Sequence, residues 1–230
     1  MTIIQNIKGK IIVSVQAMPG EPLYPEECMN AMIASVVNGG TEVLRVAGAR
    51  DVKNAKSFGL TVIGITKPNK LPDNWREVVY ITPTLEDVKI LINAGADIIA
   101  FDGTTRPRPN GEKLEDIIYE IHNHKKLAMA DISTFEEGLY CASLGVDIIS
   151  TTLSGYTLES CQDNDSPDYK LLKSLVNKTN IPVILEGRIW EPRDVVKAFN
   201  LGAHSVVIGS AITRPQLITK RFIDSITREV

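Results

Sequence analysis

Histidine is scarce in this 230-residue chain, with three copies and no HExxH pair. His122 and His124 fall near the end of a helix-like stretch, and His204 opens a strand-like one, so none stands where metal ligation or Ser-His-Asp chemistry needs it. No metal requirement is expected. Cysteine is equally thin. Cys28, Cys141 and Cys161 are odd in number, widely spaced and free of any CxxC pair, which points to a reducing compartment rather than a disulfide framework. There is no run of 18 apolar residues, and the N-terminus lacks the charged-then-apolar pattern of a secretory signal; a cytoplasmic protein with no membrane partner is expected. A basic excess is missing as well. With a formal net charge of −3, nucleic acid is set aside as a partner. The glycine-rich phosphate loops GxGxxG and GxxxxGK[ST], expected of an open doubly wound sheet, do not occur.

What remains is a chain that is 43% hydrophobic, enough for a core, in which short β-rich runs alternate with helix-like stretches from start to end. The runs are 11–17, 42–48, 61–67, 78–83, 97–103, 126–133, 147–154, 182–188 and 205–211. Most open as unbroken Val, Ile or Leu, the pattern of strands covered on both faces of a parallel sheet. Four helix-like stretches end in glycine just before a strand, at Gly39-Gly40, Gly95, Gly145 and Gly202. Thr84 reads as an N-cap with acids behind it, Ser133 to Glu136 has capping-box spacing, and Pro192 and Pro215 suit first helical turns. Nine runs are one too many for eight strands. The run 78–83 follows the third too closely for a crossover helix and is taken as an extra strand or extended segment. The expectation is a single (β/α)₈ barrel domain over residues 1–230, compact beside the about 250 residues typical of the fold.

In such a barrel the C-terminal strand ends build the active site. Those ends carry Gln16, Arg45, Lys67, Asp102, Asp131, Thr151 with Thr152, Glu186, and Gly209 with Ser210. The last two loops, Glu186-Gly187-Arg188 and Gly209-Ser210-Ala211, bear glycine and precede a helix expected near Arg214-Pro215, the usual place for a phosphate; Arg188 and Arg214 add charge. The acid-base candidates are Lys67, Asp102, Asp131 and Glu186. Lys67 and Glu186 end the third and seventh strands, opposite each other in an eight-membered ring. They either flank one substrate carbon or form a structural ion pair, and Arg45 next to Lys67 is a cation that favours its neutral form.

At these residues the chain resembles the N-acetylmannosamine-6-phosphate 2-epimerases of bacterial sialic acid breakdown. The matching stretches are 14–17, 21–23, 64–67, 80–84, 106–112, 127–134, 150–157, 186–189 and 211–216, in order and nearly end to end. The resemblance implies interconversion of N-acetylmannosamine 6-phosphate and N-acetylglucosamine 6-phosphate with neither metal nor organic cofactor. It places the essential lysine on Lys67, the essential glutamate on Glu186, and substrate contacts on Gln16, Arg45, Asp131 and Arg214. It also implies a homodimer; the run 217–223 offers an apolar helix face, for the dimer or for packing on its own barrel. Thr152 joins the expected substrate contacts, and Gly187, Arg188, Gly209 and Ser210 the expected phosphate site. Ala47 stands where a glutamine is typical and Pro68 where a basic residue is common, departures that bear on ligand contacts and loop rigidity. One-base and two-base proton transfer both fit. So does a Schiff-base lysine in a barrel aldolase or synthase, which borohydride trapping would reveal. A sugar-phosphate sensor would be expected to lack Lys67 or Glu186.

Overall fold

The computed structural model of the chain describes residues 2–160 and 165–227, so Cys161 lies outside the described residues. Eight parallel strands close into a barrel in sequence order: β1 (Ile11–Val15), β2 (Val43–Ala47), β3 (Thr61–Ile65), β4 (Ile98–Asp102), β5 (Leu127–Asp131), β6 (Ile148–Ser150), β7 (Val183–Glu186) and β8 (Ser205–Ile208), with β8 pairing back onto β1. A five-residue helix, α1 (Ile3–Ile7), precedes the barrel. The helices between successive strands are α2 (Glu26–Asn38), α3 (Gly48–Lys56), α4 (Leu85–Ala94), α5 (Leu114–Asn123), α6 (Phe135–Ser143), α7 (Tyr169–Lys178) and α8 (Pro192–Asn200); α9 (Ser210–Thr213) and α10 (Pro215–Thr227) follow β8.

The core has two layers, and strand periodicity assigns each residue to one of them. Ile12, Val43, Ile63, Ile98, Met129, Ile148, Ile184 and Val207 fill the barrel interior. Their neighbours Val13, Leu44, Val62, Ile99, Ala128, Ile149, Leu185 and Val206 face the helices. α1 closes the N-terminal end, where Ile7 joins the interior cluster and Ile3 and Ile4 pack on it. His204 belongs to that end, its Nε2 lying 2.9 Å from the carbonyl of Ile4.

Helix boundaries follow local chemistry. Thr84 caps α4 reciprocally with Asp87, and Gly95 ends it at φ +94, a left-handed conformation open to glycine without strain. The capping box of α6 sits one residue later than its sequence spacing predicts: Thr134 is the cap and Glu137 its partner, while Ser133 donates from both N–H and hydroxyl to Glu137. Pro192 and Pro215 open α8 and α10. The helix after β8 begins at Ser210, ahead of Arg214-Pro215, because Gly209 caps a separate single turn.

The run 78–83 forms no ninth strand. β3 and β4 pair only at Ile63–Ile98 and Gly64–Ile99, then part. The chain enters that gap as an extended wedge. Thr82 N–H donates to the Thr66 carbonyl, Thr66 N–H donates to the Thr82 hydroxyl, and Asp102 N–H donates to the Ile81 carbonyl. Among the described residues, no helix is long and apolar enough to cross a membrane.

Candidate active site

The interior parity of β1, β2, β3, β5, β6 and β7, carried past the last apolar residue, places a polar side chain at the C-terminal end of the barrel. Ile12 leads to Ser14 and Gln16, Val43 to Arg45, Ile63 through Ile65 to Lys67, Met129 to Asp131, Ile148 to Ser150 and Thr152, and Ile184 to Glu186. The resulting cavity is about 300 Å³, and its lining includes Gln16, Lys67, Thr152, Glu186, Gly187, Arg188, Gly209, Ser210 and Arg214.

Arg45 and Asp131 do not line it. They lie beneath its floor, 1% and 0% exposed, joined by a two-pronged ion pair of 3.1 and 2.5 Å. A second contact of 3.3 Å links Arg45 Nη1 to Glu186 Oε2. Burial alone would lower the Arg45 pKa, but the carboxylates of Asp131 and Glu186 more than offset it and hold the guanidinium charged. Asp102 is also withdrawn. It is fully buried, pairs with Arg106 at 2.7 Å and accepts from the N–H and hydroxyl of Thr104. Of the four acid-base candidates, Lys67 and Glu186 are the two that line the cavity.

Lys67 and Glu186 form no ion pair with each other among the described residues. Lys67 Nζ donates to Gln16 Oε1 at 2.8 Å, and Gln16 Nε2 donates in turn to Ser14 Oγ at 2.8 Å. Burial, then the Arg45 charge, pulls the lysine pKa down to about 8. Burial pushes the Glu186 carboxyl up, with Arg45 opposing and Asp131 reinforcing the rise. One group is thus drawn toward its neutral base and the other toward its neutral acid, on opposite walls of one cavity, opposite shifts that bring the two pKa values toward each other as a base and an acid working at one pH require.

The arginines of the 106–112 stretch serve the wedge. Arg106 donates to the Arg76 carbonyl, and Arg108 to those of Thr82, Pro83 and Asp102. This holds Tyr80 at the cavity wall, where burial, helped by Asp102, raises its phenol pKa to about 12. Arg188 is largely engaged by protein. Its Nε donates to the Ser166 carbonyl at 2.7 Å, its Nη1 to the Ser154 carbonyl at 2.6 Å, and its guanidinium lies over Tyr156. Gly155 lets it pass, since a Cβ there would sit 2.3 Å from Arg188 Nη1, at a backbone φ of +83. Gly155→Ala is expected to release this brace and destabilise the fold by about 1–3 kcal/mol, the usual cost of a strained backbone position, which thermal unfolding will measure. Arg214 is held by the Gln16 carbonyl at 3.1 Å and by Glu21.

Tyr80, Tyr156, Trp190, Ser14 and Thr213 line the cavity without having stood out in the sequence as site residues. Two-residue alternation back from Gln16 finds Ser14. The aromatic residues come from loops, where no periodicity speaks. Among the described residues, no group of three or more His, Cys, Asp or Glu side chains is arranged to hold a metal ion.

Fold and cavity together define a (β/α)₈-barrel enzyme whose paired titratable groups are a lysine and a carboxyl. A family model described as "Putative N-acetylmannosamine-6-phosphate epimerase" matches residues 29–228. The chain belongs to this family. A Clostridium perfringens protein named "Putative N-acetylmannosamine-6-phosphate 2-epimerase" is 48% identical over 95% of this chain and 97% of its own, and one so named from Clostridioides difficile is 43% identical over 97% and 98%. The solved structure of the N-acetylmannosamine-6-phosphate 2-epimerase from Clostridium perfringens superposes with a TM-score of 0.91 at 45% identity, covering 97% of this chain and 96% of that one.

Proposed function

We propose that the protein is an isomerase, a cytoplasmic 2-epimerase acting in amino-sugar and sialic acid breakdown, that interconverts N-acetylmannosamine 6-phosphate and N-acetylglucosamine 6-phosphate. The observation that carries this reading is the pair of opposed shifts at Lys67 and Glu186 within one cavity. Epimerisation must break and remake the C2–H bond. In the open-chain sugar C2 adjoins the C1 aldehyde, which acidifies that hydrogen. Lys67, as neutral amine, takes the C2 proton while the electron pair moves toward C1=O. Glu186, as neutral acid, returns a proton to C2 from the other wall. Gln16 orients the amine, and Arg214 faces the sugar. Arg45 and Asp131 act from below the floor, Arg45 by disfavouring charge on Lys67. We assign the phosphate to Gly187, Arg188, Gly209 and Ser210, beside the start of α9, where backbone N–H groups suit an anion. The whole chain works as one barrel domain, and as a homodimer through the exposed Phe222, Ile223 and Ile226 of α10.

The test is a proton NMR time course of N-acetylmannosamine 6-phosphate in D₂O with a chelator present. The expected result is N-acetylglucosamine 6-phosphate carrying deuterium at C2, with loss of the C2 proton from N-acetylmannosamine 6-phosphate rising as pH passes through about 8, where Lys67 loses its own proton. Tight binding with neither product nor exchange would replace the enzyme by a sugar-phosphate sensor.

A further inference from the structure

Thr152 stands just past β6 with three oxygens around its hydroxyl: Asp131 Oδ1 at 2.6 Å, Ser150 Oγ at 2.9 Å and Glu186 Oε2 at 3.0 Å. A threonine hydroxyl has one hydrogen to give and two lone pairs to offer. Asp131 has the strongest claim on the hydrogen, since its contact is the shortest and its carboxylate is the one clamped by both prongs of Arg45. The lone pairs are then left for Ser150 and Glu186. Ser150 supplies a hydroxyl hydrogen of its own. Glu186 supplies one only if its carboxyl is protonated; ionised, it would set an oxygen lone pair against another at 3.0 Å with no hydrogen between.

We propose that Thr152 is a positioning residue that keeps Glu186 in its acid form, by spending its own hydrogen on Asp131 and accepting the hydrogen of the Glu186 carboxyl. This deepens the epimerase reading, in which Glu186 is the proton donor. It also explains why a hydroxyl at the cavity wall faces protein oxygens. The other charged groups around Glu186 are Arg45 from β2, Asp131 from β5 and Lys67 past β3. Arg45 and Lys67 favour its ionised form, as would a hydrogen bond donated by Thr152; with the Thr152 hydrogen committed to Asp131, a lone pair aimed at the acid hydrogen of Glu186 counteracts them instead. When Glu186 gives up that proton, rotation of the Thr152 hydroxyl from Asp131 to Glu186 is the one rearrangement needed to restore a hydrogen to the contact.

The experiment is infrared titration of the protonated-carboxyl carbonyl band, identified as the band lost in Glu186→Gln, in wild type, Thr152→Val and Thr152→Ser. Valine matches threonine in shape and removes the acceptor. The expected result is a Glu186 midpoint about one pH unit lower in Thr152→Val, the scale of one neutral hydrogen bond, with Thr152→Ser restoring it and the alkaline limb of kcat following. Thr152→Ala carries the same expectation should the valine variant not fold. An unmoved midpoint overturns the proposal. So does an upward shift, which would mean that the hydroxyl donates to an ionised Glu186. The infrared reading needs no turnover: if the band shifts as expected while no epimerisation occurs, the epimerase reading falls and the Thr152 assignment stands.

Discussion

Lys67→Ala is expected to leave a folded protein that turns N-acetylmannosamine 6-phosphate over about 10²–10⁴-fold more slowly, the range for a positioned general base, or about 3–5 kcal/mol of barrier. The fold should tolerate the change. Burial and Arg45 already disfavour the charged lysine, so its loss removes a group that sits uneasily in the folded state. Among the described residues its Nζ donates to Gln16, which keeps Ser14 as a partner. Binding of the phosphorylated sugar should persist, because the groups assigned to phosphate lie across the mouth. Lys67→Arg separates basicity from charge. A guanidinium retains the cation but gives up no proton in this range, so it should be as slow as the alanine variant. Measured kcat, with C2 exchange in D₂O as a second readout, decides the point. Turnover within a few-fold of wild type in either variant would remove Lys67 from the chemistry.

Arg45→Met is expected to lower the unfolding free energy by about 3–5 kcal/mol at neutral pH, the usual result of taking one partner from a buried ion pair. Methionine fills much of the space but leaves Asp131, fully buried, and Glu186 without their shared cation. The deficit has a sign in pH. Without Arg45 the Glu186 carboxyl, already raised by burial, holds its proton more tightly when folded than when unfolded, so stability lost to its charge returns as the pH is lowered and it protonates. Urea unfolding at neutral and mildly acidic pH gives both values. A deficit below about 1 kcal/mol at neutral pH, the level of a surface pair, would show that the floor does not depend on this cation. In protein that remains folded, the pH at which loss of the C2 proton to Lys67 sets in should move upward from about 8, because a cation that lowers the Lys67 pKa has gone.

Much of the barrel was legible in the chain. Eight of nine β-rich runs became its strands, because unbroken Val and Ile segments punctuated by helix-ending glycines have few other ways to bury both faces. The ninth run carries the same β-branched residues as the rest. What kept it from strand pairing is the parting of β3 and β4 after Gly64 and Ile99, a feature of the closed ring that no local pattern encodes. The polar residues ending each apolar run were also visible in sequence. Their depth was not. Arg45 and Lys67 look alike as cations at adjacent strand ends, yet Arg45 occurs within its strand and meets Asp131 across the interior, whereas Lys67 stands two residues past β3 and opens onto the cavity. Asp102 and Asp131 were set apart from Glu186 in the same way, being fully buried where Glu186 lines the cavity.

By itself, then, the sequence determined the alternation of strands and helices and the end of the barrel that carries polar groups, since both follow from local periodicity and composition. Tertiary structure alone decided which charges neutralise one another under the floor, which arginines brace loops, which loop aromatics wall the cavity and which oxygens meet at the Thr152 hydroxyl. Those depend on distances between residues far apart in the chain, 86 positions for Arg45 and Asp131, and only closure of the ring sets such distances.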